Sequence, residues 1–417
     1  MLIDFTLANH QAFLKKATIS FVADRRTRKL RSNLLEAGSL SVVKSIGLYG
    51  ANNTGKTCLL RAIEDMKMVL SNIQNIPFSP NIFSASPVTS MGVTFANGKG
   101  ENGIYHYEFS YNVATREYIY EKFEEISVYP SRNRTARVLF SRDKTTSHFE
   151  CADKEVEAAL KYASYLSPLL YGMNIESSPT LTKYRNECKT FADSLSIIAS
   201  YNIPLNNTIA ILKGNDEKKK KLIVEFVKNA DVSLEDFRYD PKRAVSMTVE
   251  TPINEEILKQ IGLEDQFHLV STYRGKNVPS LAFDSTGTKK IEAYASYIID
   301  AIQNGKTLVV DELEASLNFA LTRAMVALFN NLQNEKAQLF FSTQDVALLD
   351  CPFLMRKEQI WFAAKEDGNA TLFSLKDSTA REGIRETENV YGRYTRGSFK
   401  GVPNPQLINS LMDMLKK

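Results

Sequence analysis

The chain has 417 residues, of which 43% are hydrophobic and 24% are charged, a composition typical of a globular protein with two or three domains. The net charge of +4 is too small to indicate a nucleic-acid partner by itself. The four cysteines lie far apart, so neither a zinc site nor a disulfide framework is indicated. No apolar run approaches the roughly 20 residues of a membrane span, and the first residues do not resemble a signal peptide. We therefore expect a cytoplasmic protein without a membrane partner.

The N-terminal residues 1–23 alternate apolar and polar side chains, which predicts two strands around a turn at Asn9-His10-Gln11. Residues 24–31 form the densest basic run of the chain. This run is interpreted either as a solvated loop or as a contact with phosphate, DNA or an acidic partner.

The pattern Gly50-x-x-x-x-Gly55-Lys56-Thr57 is that of a phosphate-binding loop, or P-loop. It follows an apolar stretch, Val42–Leu48, that predicts a buried strand, and it precedes a helix predicted over Cys58–Leu70. A loop between a strand and a helix N-terminus favours anions. The residues predicted to bind the nucleotide here are Gly50, Ala51, Asn52, Asn53, Thr54, Gly55, Lys56, Thr57 and Cys58.

In this interpretation Lys56 reaches the β- and γ-phosphates of ATP, and Thr57 places its hydroxyl on Mg²⁺. The second half of such a site is predicted by an apolar strand, Lys306–Val310, that ends in two acids. This fits a Walker B element, in which Asp311 supports Mg²⁺ and Glu312 activates the attacking water. We therefore expect ATP and Mg²⁺ as cofactors.

Two further segments carry polar groups at the expected places. Ser285 and Gly287 precede a helix predicted over Lys290–Gln303, and they resemble a signature loop that closes over the nucleotide of a partner subunit. An ordinary helix cap explains the same residues locally. Gln344 follows a strand predicted over Ala337–Phe341, where a P-loop protein places a sensor of the γ-phosphate.

The remaining elements divide the chain into three predicted parts. Antiparallel strands are predicted from about residue 90 to residue 150, which completes an N-terminal part over residues 1–150. A helical insertion follows over residues 151–240, and a C-terminal part covers residues 241–417, with a helix over 321–332 and a hairpin at 360–375. The helices predicted in the insertion are Asp153–Leu170, Thr180–Tyr201 and Glu217–Ala230.

The order of these motifs, with Glu314-Ala-Ser-Leu-Asn318 after the Walker B acids, resembles the ABC/SMC-like AAA-type ATPases of the abortive-infection family. These are related to the overcoming-lysogenisation-defect ATPases. The resemblance extends to the basic, aromatic tail at Tyr394–Pro403. It implies an α/β fold, a P-loop ABC-type ATPase head with a mixed sheet, an antiparallel β-lobe and an inserted helical subdomain.

The resemblance also implies a homodimer or higher oligomer in which two heads enclose two ATP molecules. Lys56 and Glu312 would then be catalytic, Thr57 and Asp311 would serve the metal, and Ser285 with Gly287 would act in trans. Three positions depart from the family pattern: Gln344 stands where His is usual, Gln11 where Arg is frequent, and Asn318-Phe319 where His-Pro is frequent. These departures predict slow hydrolysis.

For function, the resemblance implies an anti-phage sensor or scaffold. Only about 100 residues follow Asp311, which leaves no room for a TOPRIM nuclease, so an effector such as a nuclease would be a separate protein encoded nearby. The alternative function is an ATP-gated DNA-binding or repair protein, with Arg25–Arg31 and the tail residues Arg393, Arg396 and Lys400 along a DNA path. A transporter subunit is disfavoured by the more than 200 residues between Thr57 and Ser285.

Overall fold

The computed structural model describes residues 1–24, 27–38, 40–98, 103–128, 134–160, 163–172, 178–198, 203–242, 264–351, 353–377 and 390–396. Within these ranges the chain is an α/β protein built on two large sheets, one antiparallel and one mostly parallel. The predicted α/β fold class, with a mixed sheet and an antiparallel β-lobe, is confirmed. None of the described helices is long and apolar enough to cross a membrane.

The described residues contain strands of 4 to 12 residues. They are β1 (Leu2–Ala8), β2 (Ala17–Ser20), β3 (Leu34–Ala37), β4 (Leu40–Val43), β5 (Ser45–Tyr49), β6 (Val88–Ala96), β7 (Ile104–Asn112), β8 (Glu117–Val128), β9 (Arg134–Asp143), β10 (His148–Cys151), β11 (Leu195–Ile198), β12 (Asp236–Tyr239), β13 (Leu269–Tyr273), β14 (Lys276–Pro279), β15 (Thr307–Val310), β16 (Gln338–Thr343), β17 (Ile360–Glu366) and β18 (Asn369–Ser374).

The α-helices of the described residues lie between these strands along the chain, except for the last, which follows β18. They are α1 (Lys56–Leu70), α2 (Lys154–Leu160), α3 (Pro179–Ser194), α4 (Asn206–Lys213), α5 (Glu217–Ala230), α6 (Ser280–Phe283), α7 (Thr286–Asn304), α8 (Phe319–Phe329) and α9 (Val390–Thr395). The prediction for Glu217–Ala230 is confirmed at both ends. The helix predicted over Lys290–Gln303 begins four residues earlier, at a Ser285 cap.

The antiparallel sheet has the order β10-β9-β8-β7-β6-β1-β2, which confirms the predicted run of strands after residue 90. Its inner face is aromatic, and the rings of Tyr105 and Phe123 stack 5.4 Å apart. A buried ion pair lies in the same sheet, between Arg142 on β9 and Glu121 on β8. This lobe therefore combines an apolar core with one paired charge.

The mixed sheet has the order β11-β15-β16-β5-β17-β18, and all of its neighbours run parallel except the β17–β18 hairpin. The P-loop strand β5 lies beside β16, which lies beside the Walker B strand β15. Because parallel strands end at the same edge of a sheet, the polar residues that follow β5, β15 and β16 meet there. This edge forms the candidate site.

Four predicted elements are wrong in part. The strand predicted over Val42–Leu48 is two strands: β4 pairs with β3, and β5 enters the mixed sheet after the chain turns at Lys44. The helix predicted over Thr180–Tyr201 ends at Ser194, and Leu195–Ile198 continues as β11, beside the Walker B strand. The predicted insertion thus contributes a strand to the mixed sheet, while the division into three domains stays a prediction.

Of the helix predicted over Asp153–Leu170, the described residues show α2 at Lys154–Leu160, and residues 163–168 are not helical. In residues 163–168 the Arg142 guanidinium donates to the backbone oxygens of Ser164 (2.9 Å) and Ser167 (2.9 Å). These carbonyl groups therefore serve a buried cation rather than a helical ladder. The helix predicted over 321–332 covers Phe319–Phe329 instead.

Candidate nucleotide site

The P-loop joins a fully buried strand, β5, to the N-terminus of α1. Gly55 has a left-handed φ of 100°, and a Cβ there would lie 2.9 Å from the Cβ of Ala370. A Cβ on Gly50 would lie 2.6 Å from the backbone oxygen of Ala363. Both glycines are therefore required sterically, since the loop folds tightly against β17 and β18.

The Lys56 ammonium is buried within the loop and donates to the backbone oxygens of Gly50 (2.6 Å) and Ala51 (2.9 Å). Burial lowers its pKa, and the carboxylates of Asp311 and Glu312 act in the opposite direction. These carbonyls hold the cation inside the loop at the position from which it could reach a polyphosphate.

The other predicted loop residues surround this lysine. Thr54 is buried and donates to the Ala51 oxygen (2.9 Å), which braces the loop from within. Asn52 and Asn53 are exposed, and the Asn53 side chain accepts from Lys365 (3.4 Å). Cys58 is half-buried in the first turn of α1.

The two halves of the predicted site meet at Thr57 and Asp311. The Thr57 hydroxyl donates to Asp311 Oδ2 at 2.7 Å, although the residues are 254 positions apart in the chain. The other oxygen, Oδ1, accepts from the hydroxyl of Ser342 on β16. A hydroxyl and a carboxylate in direct contact are oxygen ligands of the type that Mg²⁺ prefers, alongside substrate phosphates. This donor set fits the predicted metal.

Glu312 follows directly in a left-handed conformation, with φ 50°. Its backbone N–H donates to Ser342 Oγ (2.9 Å), and its carboxylate accepts from the side-chain amide of Gln344 (2.9 Å). The Gln344 backbone N–H in turn donates to Glu314 (2.6 Å). Gln344 therefore contacts the predicted general base directly.

The predicted signature residues lie at the start of α7. The Ser285 hydroxyl caps the helix by accepting from the Thr288 N–H (3.1 Å), and the Thr288 hydroxyl donates to Asp231 (2.8 Å). The local cap interpretation is therefore observed, and Ser285 remains exposed. A Cβ on Gly287 would lie 2.7 Å from the backbone oxygen of Ser316, so this glycine permits a close contact with the loop after the Walker B strand.

The departures from the family pattern have local roles. Gln11 lies in the predicted turn with φ 46°, and its backbone oxygen accepts from the Asn81 side chain (2.7 Å). Asn318 caps α8 by accepting from the Leu321 N–H (2.9 Å). Neither position supplies a cation to the site.

Parts of the predicted DNA path lie outside the described residues, namely Arg25, Arg26 and Lys400. Arg28, Arg31 and Arg396 are exposed. The loop that carries the basic run is held by the buried Arg356, which donates to the backbone oxygens of Asp24 (3.0 Å) and Thr27 (3.2 Å).

Sequence reasoning assigned no site role to Ser342, which bridges Asp311 and the Glu312 backbone, or to Lys290, and it named Glu314 only as part of the motif after the Walker B acids. The position of Ser342 near the site could have been predicted, because it lies in the polar strand end Phe341-Ser-Thr-Gln344. Lys290 carried no signal, since a lysine in a helix is ordinary. It donates to the backbone oxygens of Ala315 (2.7 Å) and Glu312 (3.3 Å).

A family model described as "AAA domain, putative AbiEii toxin, Type IV TA system" matches residues 45–350. The chain belongs to this family. The matched span begins at β5 and contains both halves of the candidate site, and a P-loop family of this kind implies nucleotide binding. The predicted resemblance to ABC/SMC-like AAA ATPases is confirmed, while the abortive-infection role and the relation to the overcoming-lysogenisation-defect ATPases stay predictions.

Several solved structures are similar to this chain. "Crystal structure of the SmcHead bound to the C-winged helix domain of ScpA" is 14% identical, with a TM-score of 0.42 over 91% of this chain and 99% of that chain. "SMC head domain from Thermotoga maritima" is 10% identical, with a TM-score of 0.41 over 89% and 98%. An Smc head domain with an extended coiled coil, from Pyrococcus furiosus, is 12% identical, with a TM-score of 0.36 over 92% and 99%. No curated protein matches the chain.

Proposed function

We propose that the chain binds ATP with Mg²⁺ at the Gly50–Cys58 loop and hydrolyses it to ADP and phosphate. The observation that carries this proposal is the 2.7 Å contact between Thr57 and Asp311. It joins the P-loop to the end of the Walker B strand, although each is predicted from a separate part of the sequence. A structural turn would not require a hydroxyl and a carboxylate to converge beside a buried lysine.

Each residue has a role that follows from its position. Lys56 exchanges its two loop carbonyls for phosphate oxygens, and Thr57 with Asp311 supports the metal. When bound, ATP would supply the phosphoryl group, and Mg²⁺ would neutralise the charge that develops on it. Glu312 accepts a proton from the attacking water, and the Gln344 amide holds one of its oxygens in place. An amide cannot accept that proton itself, which favours slow hydrolysis.

The site is completed, in this proposal, by a second copy of the chain. Ser285 is exposed at the N-terminus of a 19-residue helix, where a hydroxyl and the helix dipole favour a phosphate. Ser285 and Gly287 of one head would contact the ATP that is held by the P-loop of the other head. A homodimer with two shared sites results.

We propose further that this cytoplasmic ATPase senses phage infection and controls a separate effector, such as a nuclease. The family description supports an abortive-infection setting. The alternative is a DNA-binding or repair function, which the exposed Arg28 and Arg31 favour. DNA binding that weakens at least ten-fold between low and moderate salt would support the alternative, and no binding at low salt would exclude it.

The decisive experiment compares Lys56→Ala, Glu312→Gln and the wild type. Lys56→Ala should abolish nucleotide binding and any protection against phage, because it removes the buried cation. Glu312→Gln should bind ATP, lose roughly 10²- to 10⁴-fold in turnover and accumulate as a closed dimer. Normal protection with Lys56→Ala would contradict the requirement for ATP, and a Glu312→Gln protein that stays monomeric with ATP would contradict the shared site.

A further inference from the structure

The first turns of α7 contact the segment Asp311–Leu317, called here the Walker B loop, at two points. The backbone of Gly287 approaches Ser316 so closely that a Cβ would lie 2.7 Å from its oxygen. One turn further, the Lys290 ammonium donates to the backbone oxygens of Ala315 (2.7 Å) and Glu312 (3.3 Å). The helix that begins at the signature residues is thus fastened to the loop that carries the general base of the same chain.

Lys290 is only 8% exposed, and both of its bonds end on backbone oxygens. The loop needs such support, since Glu312 (φ 50°) and Ser316 (φ 62°) are both left-handed without being glycine. A left-handed backbone conformation is unfavourable for a residue other than glycine, so contacts with neighbouring residues must stabilise it. A buried ammonium on two carbonyls is a strong, charge-assisted form of support.

The two ends of this connection serve different ATP molecules in the proposed dimer. Ser285 lies at the N-cap of α7 and would contact the nucleotide on the partner's P-loop. Glu312 lies beside its own P-loop. Lys290 lies five residues after Ser285, or about 7 Å along the helix axis, so the helix between them acts as a rigid element.

We propose that Lys290 is a positioning residue that couples the two ATP sites: when Ser285 engages the partner's nucleotide, α7 sets Glu312 for hydrolysis of the chain's own nucleotide. This inference rests on the proposed function. Occupancy of one site then controls turnover at the other, so hydrolysis by the wild type rises cooperatively with ATP, with a Hill coefficient above 1. Coupling of this kind typically changes affinity or rate by about 5- to 150-fold.

The test uses Lys290→Met, Lys290→Arg and a matched control, Lys44→Met. Lys44 is likewise a buried lysine, 2% exposed, whose ammonium donates to a backbone oxygen, that of Asn331 (2.7 Å). Its bond lies away from the Walker B loop, so its loss should leave the kinetics unchanged. The control therefore separates the general cost of losing a buried lysine from the loss of coupling.

Lys290→Met should lower the turnover number about ten-fold with little change in KM, and it should reduce the Hill coefficient to about 1. Lys290→Arg keeps the cation, so it should retain most of the wild-type turnover number and Hill coefficient. Without nucleotide, hydrogen exchange of the amides in the Walker B loop should become faster in Lys290→Met and stay unchanged in Lys44→Met. Wild-type kinetics and wild-type exchange in Lys290→Met would overturn the proposal.

Mixed dimers test the same inference in chains with an intact Lys290. In a dimer of wild type and Lys56→Ala, only the wild-type P-loop binds ATP, and the wild-type Ser285 faces an empty site. Coupling predicts a rate far below half that of the wild-type dimer, whereas a rate of one half would overturn it. A wild type that neither turns over ATP nor forms an ATP-dependent Glu312→Gln dimer would instead overturn the proposed function and the coupling with it.

Discussion

Asp65 lies on α1, behind the P-loop, and its carboxylate is 3.5 Å from the His10 ring in the turn between β1 and β2. The residue is 7% exposed. Burial raises the pKa of Asp65 from 3.8 to about 7, with Glu64 adding to the effect and Arg61 opposing it. Burial also lowers the pKa of His10 to about 4, so the imidazole is neutral at neutral pH. The pair is therefore not an ion pair.

We predict that Asp65→Asn stabilises the protein at alkaline pH. The raised pKa favours the folded state below pH 3.8, and this advantage is lost as the pH rises through about 7. Relative to a carboxyl with an unshifted pKa, the raised pKa lowers the free energy of unfolding by about 4 kcal/mol at pH 8. At pH 5, where the carboxyl stays protonated in the folded state but ionises in the unfolded chain, the loss is about 2 kcal/mol. Asparagine does not ionise, so its advantage over aspartate should grow by about 2 kcal/mol between pH 5 and pH 8.

The assay is urea unfolding of both proteins from pH 5 to pH 8.5, with the exposed Asp367→Asn as the control. The lowered pKa of His10 makes stability fall as the pH decreases from 6.5 towards 4, but His10 is present in both proteins and cancels in the difference. If the difference in free energy of unfolding between Asp65→Asn and wild type does not change with pH, the reasoning is refuted. An equal change with pH in Asp367→Asn would refute it as well.

Three further predictions concern the site and the lobe beside it. Thr57→Val should lose Mg²⁺-dependent affinity for a fluorescent ATP analogue, whereas Thr57→Ser keeps the hydroxyl and should retain it. Gly287→Ala should destabilise the fold by about 1–3 kcal/mol in urea, because its Cβ would meet a backbone oxygen of the Walker B loop; an unchanged midpoint would contradict this contact. Glu121→Gln should cost about 3 kcal/mol or more, since it leaves the buried Arg142 without a carboxylate, and a loss below 1 kcal/mol would show that the pair adds little.

The sequence predicted the parts of the site that consist of contiguous motifs. Gly50–Thr57 and Asp311-Glu312 each follow an apolar strand, and strand order alone then brings them to one edge of the mixed sheet. The wrongly predicted elements are those whose secondary structure depends on pairing with residues that are distant in the sequence. Leu195–Ile198 has only four residues at the end of a helical pattern, and it is a strand because β15 pairs with it over its whole length. Local periodicity could not distinguish this strand from a last helical turn.

The roles of Ser342 and Lys290, as distinct from the position of Ser342 in a polar strand end, could not be predicted for a related reason, since each of them acts on a backbone atom of Glu312. Ser342 accepts from the Glu312 N–H, and Lys290 donates to the Glu312 oxygen from α7. A motif records the side chains that meet a ligand, whereas the groups that fix a left-handed glutamate come from elements remote in sequence. Because β16 and α7 both hold the same residue, the conformation of Glu312 depends on how the sheet and the signature helix are placed together. Movement of that helix relative to the sheet would therefore change the geometry of Glu312, the proposed general base, without any change in the P-loop.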